Sequence, residues 1–299
     1  MKTGRFMKRL CSFLLGIFFL ASCQSSSTQD KGKPLVVTSI PPYVSLVKAI
    51  VGDSMTVTSA TGGNFEPHTS EVTPRHMKAM QNADLFIGIG EPYEKKLLNA
   101  INQGSHHVHS LELAQKVPLL SFSEDSHVVN ACHGSSESHQ GGEDRHIWLG
   151  PDSLILQVNH LIEAVSLLNP EMAYEYDRNG KALIAKIRKL IENLQEELRP
   201  FQKRAIIISH PALGYFCHEF HLLQIAVECE GKEPLPRDAA NILRFAKNAD
   251  AICVFTAPQF NNKGAEMIAQ QLNLRVENFD PLNEDPLATI QHVANAITQ

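Results

Sequence analysis

Four residues of this 299-residue chain combine types and positions that could hold a metal ion: His68, His146, His210 and Asp280. Neutral imidazole nitrogen and ionised carboxylate oxygen together suit a borderline cation such as zinc, which prefers four ligands in a tetrahedron. Each stands where an element of regular structure is expected to end or begin. His68 lies in the loop after a predicted second strand, His210 directly follows AIIIS, Asp280 directly follows RVENF, and His146 closes a long polar loop. Ligands of parallel sheets gather beyond the carboxyl ends of the strands. Taken singly, each histidine reads more readily as an ordinary core or surface residue than as a ligand. Their joint placement, two ligands in each half of the chain, is what points to a metal. Imidazole must be neutral to ligate, so such a set would release its ion as pH falls.

The element that must position them is the stretch Asn169 to Pro200, NPEMAYEYDRNGKALIAKIRKLIENLQEELRP. Asn169 suits an N-cap, Pro170 the first turn, and Glu171 and Glu175 the positive end of a helix dipole. Tyr176, Leu183, Ile184, Ile187, Leu190, Ile191, Leu194 and Leu198 fall on one helical face. The spacing predicts a helix of roughly 28 residues and about 40 Å, in which Gly180 costs about 1 kcal/mol against alanine. On either side, short apolar runs alternate with helical patterns. The predicted strands are Leu35 to Ser39, Met55 to Ser59, Leu85 to Ile89 and His107 to Ser110 before the helix. After it they are Ala205 to Ser209, Gln224 to Val227, Ala251 to Thr256 and Arg275 to Asn278. Such alternation predicts an α/β fold: two lobes with parallel sheets flanked by helices, joined by one long rigid backbone helix. A long amphipathic helix packed on a single domain would give the same periodicity.

The chain opens with basic Lys2, Arg5, Lys8 and Arg9, then an apolar run from Leu10 to Ala21 that is too short to span a membrane comfortably. Leu20-Ala21-Ser22-Cys23 resembles a bacterial lipobox, which predicts lipidation of Cys23 after removal of residues 1–22, with 23–34 as a polar tether. The remaining divisions are a first lobe over 35–168 that includes a histidine-rich loop at 121–145, the linking helix at 169–200, and a second lobe over 201–299. Without the leader, 23 basic residues face 32 acidic ones, a net charge of −9, which argues against nucleic acid and suits attraction of cations. Cys132, Cys217, Cys229 and Cys253 follow no CxxC spacing, so a thiolate zinc site is not expected; a disulfide and free buried thiols both remain open.

Seven stretches occur in order: VVTSIPPYVSLVKAIVGD, EPHTSEVTPRHMKAMQNADLFIGIG, HIWLGP, HPALGYF, GKEPLPR, VFTAPQFNNKGAEMIAQQL and FDPL. Together they resemble the metal-binding solute-binding proteins of ABC importers for zinc, manganese or iron, bacterial solute-binding protein family 9. The resemblance runs from Leu35 to Ile297. It implies two α/β lobes on a rigid helix, no enzymatic activity, an ABC permease as partner, an extracytoplasmic location, and metal ligands at His68, His146, His210 and Asp280. Histidine rather than glutamate at the third position leans to Zn2+ over Mn2+ or Fe2+. Seven of the fourteen histidines lie between His106 and His146, and zinc-type members resemble this in carrying a histidine-rich loop. His127, His133 and His139 are its candidate auxiliary ligands. Glu66 and Gln259 are candidates for supporting or alternate ligation. The chain departs from the family pattern at Arg145, where proline is usual, and at Gly150, which leaves the surroundings of His146 less defined than its identity. A zinc hydrolase is a weaker alternative, because no HExxH is present. A surface adhesin would share the anchor and leave two ligands per lobe unexplained.

Overall fold

The computed structural model describes residues 32–66, 71–103, 107–121, 128–129, 142–228 and 232–299. Lys33–Gln299 forms one compact unit; the expected leader and Cys23 fall in the other, Met1–Gly32, outside the described residues save for Gly32. The first half runs β1 (Leu35–Thr38), α1 (Pro42–Val51), β2 (Thr56–Ser59), α2 (Pro74–Met80), β3 (Leu85–Gly88), α3 (Pro92–Asn102) and β4 (His109–Glu112). Next come β5 (Val128–Val129), α4 (Pro151–Leu168) and α5 (Ala173–Leu198). The second half is β6 (Ala205–Ile208), α6 (Gly214–Phe220), β7 (Leu223–Ala226), α7 (Pro236–Asn248), β8 (Val254–Thr256), α8 (Lys263–Leu272), β9 (Val276–Asn278) and α9 (Pro286–Thr298).

Two all-parallel sheets result, ordered β2-β1-β3-β4 and β5-β7-β6-β8-β9. Every residue of β3 (LFIG) and β6 (AIII) is buried, as helices on both faces of a parallel sheet require. The order reverses between β1 and β3 in one sheet and between β6 and β8 in the other. Those reversals open the crevices in which parallel sheets take ligands.

The second sheet has a strand that periodicity could not reveal. Val128 and Val129 come from the 121–145 loop, assigned above to the first lobe, yet they pair with Gln224 and Ile225 of β7. An edge strand offers unpaired backbone groups, and two β-branched residues suffice to take them up. The stem of that loop is closed by an antiparallel bridge between Ser121 and Glu143 and by Asp144 N donating to Leu120 O at 2.8 Å.

The long helix is present, with a different start. Pro170–Met172 forms a 3₁₀ turn, and α5 covers the 26 residues Ala173–Leu198 with no side-chain cap. Asn169 does not cap; its Nδ2 donates to the Tyr176 hydroxyl at 3.4 Å. The buried face is Tyr176, Gly180, Leu183, Ile184, Ile187, Ile191, Leu194 and Leu198, while Leu190 is only half-buried. Burying each large apolar side chain contributes roughly 1.5–3 kcal/mol, which outweighs the helix cost of one glycine of about 1 kcal/mol. Gly180 has a packing reason besides: a Cβ there would lie 2.2 Å from Cδ1 of Ile162 on α4.

Helix α5 packs against α4, α1 and α9. One apolar cluster extends from Val36 and Val44 through Leu161, Ile187 and Leu194 to Ile206, Phe255 and Ile297, so the two lobes share a core. Two smaller clusters fill the outer faces, one under α2 and α3 and one under α7 and α8. Cys217 and Cys253 are buried free thiols, and desolvation pushes Cys253 up to about 12 and Cys217 higher still. Cys132 and Cys229 lie outside the described residues.

Candidate metal centre

His146 stands on the tight turn Ile147–Leu149, all three residues of which are buried. The Gln157 side chain on α4 fastens that turn: its Nε2 donates to Ile147 O at 2.8 Å, and its Oε1 accepts from the Tyr43 hydroxyl at 2.6 Å. Trp148 Nε1 donates to Pro281 O at 2.7 Å, tying the turn to the loop of Asp280. The His146 ring is oriented by Asp144, whose Oδ1 is 2.8 Å from Nδ1 and accepts the His146 amide at 2.9 Å. Asp144 is itself buried, and Tyr215 Oη donates to its backbone carbonyl at 2.8 Å. Gly214 opens α6 against this carboxylate, because a Cβ there would come within 2.4 Å of Asp144 Oδ2.

His210 follows β6 at the reversal of strand order. The β6–β7 ladder continues past both strands, with Glu228 N donating to Ser209 O at 3.1 Å. That brings Glu228 Oε1 to 2.7 Å from His210 Nδ1. Phe260 stacks on the ring, with centroids 3.9 Å apart and planes inclined by 9°. His146 and His210 are 4 % and 5 % exposed, and their Nε2 atoms are 3.2 Å apart.

This pairing has a chemical consequence. An ionised carboxylate only accepts, so Asp144 and Glu228 require a proton on each Nδ1. In that tautomer each neutral ring turns its Nε2 toward the other, 3.2 Å away. Two imidazole nitrogens at this spacing can ligate one cation together. Carboxylate-to-histidine bonds of this kind also orient the ring and raise its basicity as a ligand.

Asp280 follows β9. Its Oδ1 accepts from Gln259 Nε2 at 2.7 Å and from Leu282 N at 2.9 Å. Gln259 Nε2 also donates to Gly63 O at 2.5 Å. A narrow cleft lined by Phe65, His146, Trp148, Gln259, Phe260 and Pro281 lies between these groups. Among the described residues, His146 and His210 come together, and no cluster of three or more His, Cys, Asp and Glu side chains able to hold a metal forms around them. His68, the expected ligand from the first lobe, lies outside the described residues, as do His127, His133 and His139. Glu66 is half-buried beside the residues 67–70 that are not described.

The family model for the zinc-uptake complex component A, periplasmic, matches residues 36–299. The chain belongs to that family. Among its relatives is the high-affinity zinc uptake system protein ZnuA of Bacillus subtilis (strain 168), 28% identical over 94% of this chain and 88% of that protein. The zinc-binding lipoprotein AdcA of Streptococcus pneumoniae (strain ATCC BAA-255 / R6) is 24% identical over 92% of this chain and 56% of its own length. A crystal structure of ZnuA superimposes with a TM-score of 0.78 at 28% identity, covering 89% of this chain and 98% of that one.

A zinc-uptake component A is a cargo-binding part of an uptake system and not an enzyme, which disposes of the hydrolase alternative. Its periplasmic character puts this chain outside the cytoplasm, and no helix among the described residues is long and apolar enough to cross a membrane. The two departures noted in the sequence have structural reasons. Arg145 turns away from His146, donating from Nη1 to Gly90 O at 2.7 Å and pairing with Glu143 at 3.3 Å. Gly150 makes room for Tyr215, whose Cβ would lie 2.6 Å from any added Cβ. Asp144 and Glu228 were not identified from sequence. An acidic residue two before a candidate histidine was the available signal for Asp144; for Glu228 there was none, since it reaches His210 only through strand pairing.

Proposed function

We propose that this chain captures one zinc ion between its lobes through His68, His146, His210 and Asp280 and passes it to the permease of an ABC importer. The observation that carries this is the pair of Nε2 atoms held 3.2 Å apart, each ring fixed from behind by a carboxylate. Three imidazoles and one carboxylate favour zinc over manganese or iron(II), the alternatives for this donor set. His127, His133 and His139 would gather zinc at the periphery, and Cys23 would carry a lipid anchor, in keeping with the pneumococcal relative, a zinc-binding lipoprotein.

Metal analysis of protein purified without chelator, followed by zinc–manganese competition, tests the cargo. One zinc per chain is expected, with zinc displacing manganese. His210→Ala should weaken zinc binding steeply, whereas His160→Ala should leave it unchanged; the opposite pattern would refute the site. His76 is unsuitable as a neutral control. It is buried, accepts the Thr73 amide on Nδ1 as part of the α2 capping box, and meets Phe65 edge-on at 5.2 Å.

A further inference from the structure

We propose that Gln259 confines Asp280 to a single ligating oxygen and thereby selects zinc over cations that demand more oxygen ligands. This rests on the metal-site reading above and goes beyond it by assigning the choice of metal to a residue that is not itself a ligand. Gln259 lies in the loop between β8 and α8, a loop held rigidly by Asn262. The Asn262 side chain accepts from Ala257 N at 3.2 Å and donates to Ala257 O at 3.0 Å, and Phe260 N closes the turn onto Ala257 O at 3.2 Å.

The orientation of the Gln259 amide is forced. Both groups it meets, Gly63 O and Asp280 Oδ1, are acceptors, so Nε2 must face them. Its Oε1 is then buried with no hydrogen-bond partner among the described residues.

With Leu282 N as a second donor, Asp280 Oδ1 already accepts two hydrogen bonds, and Oδ2 is the oxygen left for a cation. Three imidazoles and one carboxylate oxygen make four ligands, the number zinc prefers. Manganese favours a larger, oxygen-rich set, which a bidentate Asp280 would approach. Through Gly63, the same amide also steadies the loop that leads to His68.

Gln259→Met keeps length and approximate volume while removing the donor. Zinc X-ray absorption of the parent should give a four-coordinate site with one carboxylate oxygen. Its cobalt(II) form should show the intense visible band of tetrahedral cobalt. In the methionine variant that band should weaken as coordination number rises, and the zinc-to-manganese affinity ratio should fall about 10-fold or more. An unchanged band and ratio in the variant would overturn the proposal, as would a bidentate carboxylate in the parent; the parent measurement decides even where the variant folds poorly. A parent that takes up no stoichiometric zinc overturns the carrier reading and this proposal together, whereas tight zinc with an unaltered ratio overturns this proposal alone.

Discussion

Asp144 touches His146 twice, through ring and backbone, and Glu228 touches His210 once. Exchanging Asp144 for asparagine preserves shape and one acceptor but removes the charge that makes the imidazole a stronger donor. Zinc affinity of Asp144→Asn should fall by about 10- to 100-fold, read by competition with a chelating dye, with the melting temperature of the metal-free protein little changed. Loss of fold without metal would assign Asp144 to packing instead. At this scale the pair His146 and His210, which the structure brings together, was legible in the sequence because chemistry-bearing residues at element ends stand out against apolar runs. Their supports were not. Glu228 is 18 residues from His210, and only the pairing of β6 with β7 closes that distance.

Among the elements, the strands and helices were legible wherever burial imposes a pattern, as in LFIG, AIII and the apolar face of α5. What escaped was local and small: a 3₁₀ turn in place of the Asn169 cap, and the two-residue β5, too short for any periodicity to register. Gly180→Ala tests the packing of α5. Propensity alone favours alanine by about 1 kcal/mol, but overpacking costs about 1–3 kcal/mol, and Ile162 has β-branching that limits its escape. The net expectation is a loss of about 1 kcal/mol by denaturant titration; a gain would show that Ile162 yields freely. Helix α3 supplies a pH test. Glu94 is buried beneath its N-terminus, accepting from the amides of Ile89, Gly90 and Glu91 at 3.0, 2.8 and 3.2 Å. Desolvation nevertheless raises its carboxyl from 4.5 to about 7. Between those values the native state holds more protons than the unfolded chain, so this group's contribution to stability declines as pH rises from about 4.5 to about 7. Glu94→Gln should remove that decline, so that the parent's deficit relative to the variant grows by as much as about 3 kcal/mol from pH 5 to pH 8. Parallel stability curves over that range would contradict the assignment.

At the scale of the whole molecule, the common core joins the two lobes into one body, which disfavours wide hinge opening. Calorimetry of the metal-free protein should show a single transition, which zinc raises in temperature through linkage. The loop offers a separate test, because its stem is closed at Ser121 and Glu143 and β5 docks on the second sheet. Excising residues 131–141 leaves both features in place. The tight zinc site should persist while weaker additional binding disappears from the titration isotherm; disappearance of the tight site would move a primary ligand into the excised stretch.

Across all 299 residues there is one tryptophan, and it is Trp148. Its ring centroid is 5.3 Å from that of His146, and its indole N–H is committed to Pro281 O beside Asp280. The molecule therefore carries its one indole at the candidate metal cleft, where excitation at the red edge selects it over the five tyrosines. Emission excited in the indole band will report cargo arrival without a label. It will also distinguish ions by electronic structure: closed-shell zinc should shift the spectrum without heavy quenching, whereas open-shell manganese, iron(II) or cobalt at the same place should dim it. Stopped-flow emission can thus time both capture and release in the unmodified protein.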